Sequence, residues 1–254
     1  AFATKGCIEM KRALFKIFDS VMDHLGDDTL AMFDVHIAMV GATGVGKTTS
    51  CNALLGSNWN VGHTTATTRD LQSDQLILDD NGKSVPTNIY VTDFPGLGES
   101  LSRDAEYLPL YKEHLPRFDA VVWVMAANDR QMAATQQYLN ALSEAVPELA
   151  SKLIIALNKA DLVEPMEWAK DQPNLPSDTQ MANIEARVHD VVARLNEECC
   201  KCRLPEAQVV AFTAKYNWRV WKVFEILNTV LKGGKKMSLV RFARPQQWSP
   251  KRTK

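Results

Sequence analysis

The sequence predicts an α/β fold in which helices cover both faces of a mostly parallel β-sheet. Apolar segments of strand length alternate with segments of helical periodicity along most of the chain. Several of the strand segments are continuously apolar, which is typical of strands that are buried on both faces. The 254 residues are 46% hydrophobic and 23% charged, which is enough apolar material for one large domain with a sizeable core.

The first 33 residues space their apolar side chains helically, with a break at Gly26-Asp27-Asp28. We expect residues 1–33 to form a helical extension that packs on the domain; a helix that binds a membrane or a partner is the alternative. The main domain is predicted over residues 34–232. Residues 233–254 are predicted to be a basic, flexible tail.

The main domain begins with an apolar strand at residues 35–40, and a helix follows from residue 49. A hairpin comes next, because Asp79-Asp80-Asn81-Gly82 is a turn sequence between residues 71–78 and 88–92. The rest alternates: the predicted strands are 120–125, 153–157 and 209–212, and the predicted helices are 130–146, 179–200 and 218–231. In such sheets ligands bind at the carboxyl ends of the strands.

A glycine-rich loop joins the first strand to the first helix and has the pattern G-x-x-x-x-G-K-[ST]. Its glycines let backbone N–H groups turn inward around a phosphate, and the helix start adds further N–H groups. Lys47 is predicted to reach the β and γ phosphates, and the Thr48 hydroxyl to ligate Mg²⁺. The predicted phosphate-binding residues are Gly41, Ala42, Thr43, Gly44, Val45, Gly46, Lys47, Thr48 and Thr49.

A second motif, Asn158-Lys159-Ala160-Asp161, follows a predicted strand and has the form N-K-x-D. The Asp161 carboxylate can accept hydrogen bonds from N1–H and the 2-amino group of guanine, and adenine has neither donor. Asn158 is expected to brace the loop, and the aliphatic stem of Lys159 to cover the base. The motif therefore predicts selection of GTP over ATP.

A third motif, Asp93-Phe94-Pro95-Gly96, has the form D-x-x-G at a strand end. Asp93 is predicted to hold Mg²⁺ through a water, and the Gly96 N–H to meet the γ-phosphate. A threonine of the cluster at residues 64–68 is expected to close over Mg²⁺. Thr68 is the first candidate and Thr67 the alternative. The predicted catalytic residues are Lys47, Thr68 and Gly96, and the predicted metal ligands are Thr48, Thr68 and Asp93.

These motifs, in this order, resemble a translation-factor-class GTPase of the Era/TrmE type. The closest resemblance is to the bacterial YfjP/YeeP-like GTPase family, because of Cys51-Asn52-Ala53-Leu54 after the phosphate loop, Arg103-Asp104-x-Glu106-Tyr107, the segment 115–129 and Glu164-Pro165-x-Glu167-Trp168. The resemblance spans roughly residues 34–231 and implies a P-loop NTPase small G domain with a six-stranded sheet, cycling between GTP and GDP. Thr213-Ala214-Lys215 resembles the S-A-K loop, one of whose backbone N–H groups meets guanine O6. Threonine here replaces serine.

The same resemblance implies slow hydrolysis. Ras-like enzymes orient the attacking water with a glutamine directly after D-x-x-G, where this chain has Leu97. Some relatives bind K⁺ through an asparagine of the phosphate loop, where this chain has Gly44. Catalytic help could come from Arg69, Glu99, Arg103 or a second protomer, and the sequence does not choose among them.

The net charge of −1 hides an asymmetry, since residues 232–254 contain eight Lys and Arg residues and no acidic residue. This tail could contact RNA or the ribosome, or an anionic membrane. The alternative is a solvated terminus that binds no partner. Reading of a DNA sequence is not expected. The alternative to a slow GTPase is a binding module that hydrolyses GTP negligibly and dimerises when GTP is bound. The dimer would form through the switch face, the surface that carries the threonine cluster and the D-x-x-G segment.

The five cysteines are odd in number and irregularly spaced, so no disulfide framework is predicted. Cys199-Cys200-Lys201-Cys202 lacks the paired spacing of a structural zinc site. The sequence has no transmembrane run and no signal-peptide pattern. We expect a cytoplasmic protein that could be peripheral to a membrane.

Overall fold

A computed structural model of the chain describes residues 34–55, 72–80, 83–168, 175–198, 203–232 and 235. The predicted helical extension at residues 1–33, the threonine cluster and the Cys-rich sequence lie outside the described residues. So does all of the predicted tail except Lys235.

The sheet has six strands: β1 (Val35–Gly41), β2 (Gln72–Asp80), β3 (Lys83–Asp93), β4 (Ala120–Ala126), β5 (Leu153–Asn158) and β6 (Val209–Ala211). Their order across the sheet is β2-β3-β1-β4-β5-β6. Every neighbouring pair is parallel except β2 and β3, which form the antiparallel hairpin at one edge. This confirms the predicted mostly parallel sheet.

Six α-helices surround this sheet in the described residues: α1 (Lys47–Leu55), α2 (Leu101–His114), α3 (Ala133–Ala145), α4 (Leu149–Lys152), α5 (Asp178–Glu198) and α6 (Val220–Val230). Buried side chains of α1 and α6 pack on one face, and those of α2, α3, α4 and α5 pack on the other. Single turns of 3₁₀ helix lie at Leu115–Arg117, Ala160–Leu162 and Glu206–Gln208. Within the described ranges, no helix has the length and apolar character needed to cross a membrane.

Burial on both faces explains the continuously apolar strands. In β1, Ile37 and Met39 point to the face of α1 and α6, whereas Ala38 and Val40 point to the opposite face. Both sets are at most 2% exposed. A strand with two buried faces therefore shows no alternation of polar and apolar residues. Its prediction from the sequence depends instead on the length of the apolar segment and on the residues at either end.

Helix α2 is the longer of the two α-helices that the sequence analysis missed, the other being α4. Pro109 lies in the interior of α2, and a proline there removes one helical hydrogen bond, so the pattern does not suggest a helix. Tertiary contacts stabilise the helix instead. Tyr107 and Tyr111 are buried, and Ser100 caps the N-terminus by accepting a hydrogen bond from the N–H of Arg103.

Lys152 is a buried cation at the end of the sheet opposite the strand carboxyl ends, where it binds the backbone that precedes β4. Its ammonium donates to the carbonyl oxygens of Leu115 (3.1 Å), Pro116 (3.3 Å) and Phe118 (3.1 Å). Burial lowers its pKa, and the Glu148 carboxylate at 3.5 Å opposes that shift.

We expect Lys152→Met to destabilise the protein by about 2–3 kcal/mol, because three backbone carbonyls lose a charged donor. Urea unfolding of the full chain measures this. Lys112→Met is the matched control, since Lys112 makes no hydrogen bond or ion pair with the residues that the structure describes. Equal stability of the two variants would contradict the expectation.

Candidate functional site

The predicted motifs come together at the carboxyl end of the sheet. β1 leads into the glycine-rich loop, β3 ends at Asp93, β5 ends at Asn158, and β6 leads into Thr213. Because β1 pairs with β3 and with β4, and β5 pairs with β4 and β6, these ends lie side by side. The sheet order thus brings four segments that are distant in the sequence together at the carboxyl ends of the strands.

Two glycines are required by close backbone approaches. Gly41 has φ of +137°, and a Cβ at this position would lie 2.2 Å from the carbonyl oxygen of Val124. A Cβ on Gly96 would lie 2.4 Å from Oγ1 and 2.8 Å from Cα of Thr43. Gly96 therefore allows the D-x-x-G segment to lie directly against the glycine-rich loop, which agrees with its predicted place beside the γ-phosphate.

Lys47 lies inside the loop. Only 7% of its surface is exposed, and its Nζ donates to the carbonyl oxygens of Gly41 (3.2 Å) and Ala42 (2.9 Å). Burial lowers its pKa from 10.5 to about 8, and the Asp93 carboxylate partly offsets this shift. A desolvated cation within a loop of backbone groups is suited to an anionic ligand such as a phosphate.

Two of the predicted Mg²⁺ ligands are adjacent. The Thr48 hydroxyl donates to Oδ2 of Asp93 at 2.7 Å, and Asp93 is fully buried. A hydroxyl and a carboxylate at the phosphate side of the loop form the oxygen donor set that Mg²⁺ prefers, so these residues fit the ion. The third predicted ligand, Thr68, lies outside the described residues, as does its alternative, Thr67.

The segment after Asp93 is fixed to the glycine-rich loop by its backbone. The N–H of Leu97 donates to the carbonyl of Gly41 (3.2 Å), and the N–H of Thr43 donates to the carbonyl of Leu97 (2.8 Å). The Leu97 side chain is fully buried in the core. It therefore points away from solvent and has no polar group with which to orient a water.

Three further residues hold this segment, and the sequence analysis assigned none of them to the site. The Tyr111 hydroxyl donates to the carbonyl of Pro95 (2.6 Å). The Asp104 carboxylate accepts from the N–H of Gly98 (2.7 Å) and from the hydroxyl of Tyr138 (2.5 Å). Tyr111 and Tyr138 belong to no motif, and the segment that contains Asp104 resembles the family without indicating a role, so only the fold could reveal these contacts.

The Asn158 side chain joins three loops. Its Nδ2 donates to the carbonyl of Val45 (3.0 Å) in the glycine-rich loop, and its Oδ1 accepts from the N–H of Ala214 (3.0 Å) after β6. Asn158 is 3% exposed. These bonds agree with the predicted role of Asn158 as a brace.

The next residue of the motif, Lys159, contacts the same loop. Lys159 has φ of +61°, and its Nζ donates to the carbonyl of Gly44 at 2.7 Å. Asp161 is 6% exposed, and its carboxylate accepts no hydrogen bond from any residue that the structure describes. A nearly buried carboxylate without an internal donor is a strong acceptor for a ligand.

The loop after β6 is held at its base. Thr213 is fully buried, and its backbone exchanges two hydrogen bonds of 3.1 Å with that of Trp218. The N–H of Thr213 is thus used internally, as is that of Ala214. Of Thr213, Ala214 and Lys215, only the last has a backbone N–H without an acceptor among the described residues, so this group is available to a ligand.

The candidates for catalytic help differ in position. Arg103 pairs with Glu106 at 3.0 Å, and Glu99 is exposed beside the D-x-x-G segment. Arg69 lies outside the described residues.

Comparison with known proteins agrees with this arrangement. The family model described as "50S ribosome-binding GTPase" matches residues 36–159. The uncharacterized protein YfjP of Escherichia coli (strain K12) is 30% identical over 175 residues, which are 67% of this chain and 56% of YfjP. YkfA of the same strain is 34% identical over 139 residues, which are 54% of this chain and 45% of YkfA. The chain spans about half the length of these relatives.

Solved structures show the same fold. Aquifex aeolicus Era bound to GDP and AlF₄⁻ has a TM-score of 0.58 at 19% identity, covering 80% of this chain and 58% of Era. Arabidopsis thaliana Toc33 has a TM-score of 0.59 at 15% identity, covering 85% of this chain and 90% of Toc33. The sheet order, the glycine-rich loop and these matches show that the chain has the fold of a P-loop small GTPase domain, within which residues 36–159 match the family model described as 50S ribosome-binding GTPase.

Proposed function

We propose that this protein binds GTP with Mg²⁺ and hydrolyses it slowly to GDP and phosphate, acting as a nucleotide-dependent switch. The observation that carries the proposal is the position of Asn158, whose side chain ties the phosphate loop to the loop after β6 at 3.0 Å on each side. A phosphate site and a base site are thereby held as one unit. The Asp161 carboxylate in the same motif gives the guanine preference.

Hydrolysis proceeds by in-line attack of water on the γ-phosphate. The Lys47 ammonium compensates the negative charge that develops on the phosphate oxygens, and Gly96 leaves room for its own N–H to approach them. Thr48 and Asp93 would hold Mg²⁺, which supplies further charge compensation when bound. Thr68 is proposed as the residue that completes the metal site.

Slow turnover follows from Leu97. Its side chain lies in the core, so the position after D-x-x-G provides no hydrogen bond to the attacking water. Proton acceptance and water orientation then depend on another group, and each such contribution is worth about 10²–10⁴-fold in rate. Steady-state phosphate release at saturating GTP and Mg²⁺ tests this. A rate typical of GTPases fully activated by a partner, measured on the isolated protein, would refute slow intrinsic turnover.

The Mg²⁺ assignment predicts that Thr48→Ala loses metal-dependent affinity. GTP affinity measured with Mg²⁺ should fall by about tenfold, because one charge-assisted ligand contact is removed. Affinity measured in EDTA should change little, since the hydroxyl then has no metal to bind. Ser50→Ala is the control, because the Ser50 hydroxyl donates to the carbonyl of Gly46, the residue before the helix, and is not a proposed ligand. An equal loss with and without Mg²⁺ would contradict the role of Thr48.

A second candidate function is a GTP-gated module that dimerises through its switch face and hydrolyses GTP negligibly. Leu101, directly after the D-x-x-G segment, is 90% exposed, which suits a contact formed in one nucleotide state. Among the structural relatives, dimerisation is important for the GTPase activity of the chloroplast translocon components Toc33 and Toc159. Phosphate release and oligomeric state, measured across protein concentration with GTP and with GDP, separate the candidates: a low but measurable rate from a monomer favours the slow GTPase, and GTP-dependent dimers without measurable phosphate release favour the binding module.

The partner is proposed to be RNA or the ribosome, reached through the basic tail at residues 233–254, in a cytoplasmic protein. A structure of Era contains nucleotides 1506–1542 of 16S ribosomal RNA, and an anionic membrane is the alternative partner. Salt-dependent binding to RNA, compared with binding to anionic vesicles, tests the choice. The tail is responsible if truncation after residue 234 removes the binding.

A further inference from the structure

The Asp161 carboxylate is carried by a segment with little structure of its own. It lies in a single turn of 3₁₀ helix, Ala160–Leu162, directly after β5. The turn is closed by bonds from the Leu162 N–H to the Lys159 carbonyl (2.9 Å) and from the Val163 N–H to the Ala160 carbonyl (3.2 Å). So short a turn does not fix a side chain with the precision that recognition of a base edge requires. An outside contact has to supply that precision.

Gln180, in the first turn of α5, makes this contact. Its Nε2 donates to the carbonyl oxygens of Asp161 (3.2 Å) and Val163 (2.7 Å). The side chain is fully buried. A carboxamide has two N–H donors, and both are used on the turn that carries Asp161.

The sequence around Gln180 suggests a different role, which the structure does not show. Ser177-Asp178-Thr179-Gln180 has the form of a capping box, in which the glutamine would reach back to the serine N–H. The Gln180 N–H does donate to Oγ of Ser177 (3.2 Å), but the Ser177 N–H donates to the carbonyl of Glu167 (2.6 Å). The Gln180 amide is therefore released from capping and directed at the turn.

The orientation of the Gln180 side-chain amide leaves its oxygen without a hydrogen-bond donor among the residues that the structure describes. Oε1 of Gln180 is buried and accepts no hydrogen bond within the described part of the chain. An unsatisfied buried acceptor is destabilising, so the position is not optimised for stability alone. An apolar side chain of equal length would remove that orphaned acceptor, which partly compensates for the two lost bonds.

The geometry points to Gln180 as a positioning residue for guanine selectivity: it holds the backbone that directly follows the Asp161 side chain, at the carbonyls of Asp161 and Val163, so that the carboxylate meets N1–H and the 2-amino group together. This inference rests on the proposed function, because it assumes that Asp161 binds guanine. Gln180 does not touch the base. It acts by holding the turn, and its loss should affect the two-point contact more than the binding of the phosphates.

The test compares GDP with inosine diphosphate, which keeps N1–H and lacks the 2-amino group. The ratio of the two affinities in the wild-type protein reports the two-point contact. In Gln180→Met, which keeps the side-chain length without a donor, the GDP to inosine diphosphate preference should fall about threefold or more, and GDP affinity about tenfold. Gln180→Asn, which keeps the amide but is one methylene too short to reach both carbonyls, is the second variant, and its preference should also fall.

Gln208 offers a matched control. It is 7% exposed, and its Nε2 also donates to two backbone carbonyls, those of Ala150 (3.1 Å) and Leu153 (2.7 Å). Leu153 begins β5, so this contact lies at the opposite end of the strand from the site. Gln208→Met should lower stability while leaving the nucleotide preference within about twofold of the wild-type value.

The outcomes distinguish a failure of the proposed guanine-nucleotide binding from a failure of the proposed role of Gln180. If the wild-type protein does not prefer GDP over ADP, the proposed function fails. If the wild type shows that preference and either folded Gln180 variant keeps the wild-type GDP to inosine diphosphate ratio, the role of Gln180 is overturned, even where both affinities fall in parallel. A reduced ratio in both Gln180 variants, with an unchanged ratio in Gln208→Met, supports it.

Discussion

Replacement of Lys47 by alanine is expected to abolish measurable nucleotide binding. The Lys47 ammonium is almost fully buried within the glycine-rich loop, and its internal partners are two backbone carbonyls at 2.9 and 3.2 Å. A triphosphate would replace these neutral partners with charged oxygens. Because each charge-assisted hydrogen bond is worth roughly 1.5–3 kcal/mol, losing two should weaken GTP binding at least about a hundredfold.

Isothermal titration of the variant with GTP and Mg²⁺ measures this effect. Lys222→Ala is a suitable control, because it removes one positive charge from α6, which carries none of the proposed nucleotide-binding residues. Unchanged GTP affinity in Lys47→Ala would remove the basis for placing phosphates in this loop. A melting curve of the variant without nucleotide should accompany the titration, since the measured loss concerns the site only if the protein is folded.

The second large effect is expected from Asp161→Asn, which should shift the preference from guanine toward xanthine nucleotides. The carboxylate is 6% exposed and accepts no bond from the described residues, so its partner has to come from a ligand or solvent. Guanine presents two donors to it, whereas an asparagine amide would oppose the 2-amino group with a donor of its own. The 2-oxo group of xanthine accepts from that amide instead.

We expect GDP affinity to fall by about a hundredfold or more, because a buried donor is left facing another donor, and xanthosine diphosphate to bind more tightly than GDP. Competition between the two nucleotides measures the change. Asp178→Asn is the matched control, because it makes the same carboxyl-to-amide change at an exposed position at the start of α5. A variant at Asp161 that still prefers GDP would show that another group selects the base.

The elements that the sequence predicted most accurately are those with a strong local pattern. The apolar strands and the hairpin turn fall within a few residues of their predicted bounds, and the glycine-rich loop lies between β1 and α1 as expected. Helix α2 was missed because Pro109 weakens its local pattern, while packing of Tyr107 and Tyr111 stabilises it. Local propensity gives a weak prediction where tertiary burial decides the conformation.

The residues of the candidate site likewise fall into two groups: those that a local sequence pattern predicts, and those that only the folded structure reveals. The glycine-rich loop, D-x-x-G and N-K-x-D are each a contiguous segment, and we propose that each binds its ligand through groups of one loop. A contiguous pattern can be read from the sequence alone. The sequence by itself thus determined the fold class, the phosphate loop and the guanine preference that we propose. The tertiary structure decided what holds those loops in place: Gln180 on the turn of Asp161, and Asp104 with Tyr138 on the segment after Gly96. These supports come from helices that pack against the loops, and their contacts depend on the folded arrangement, which no local spacing of residues encodes.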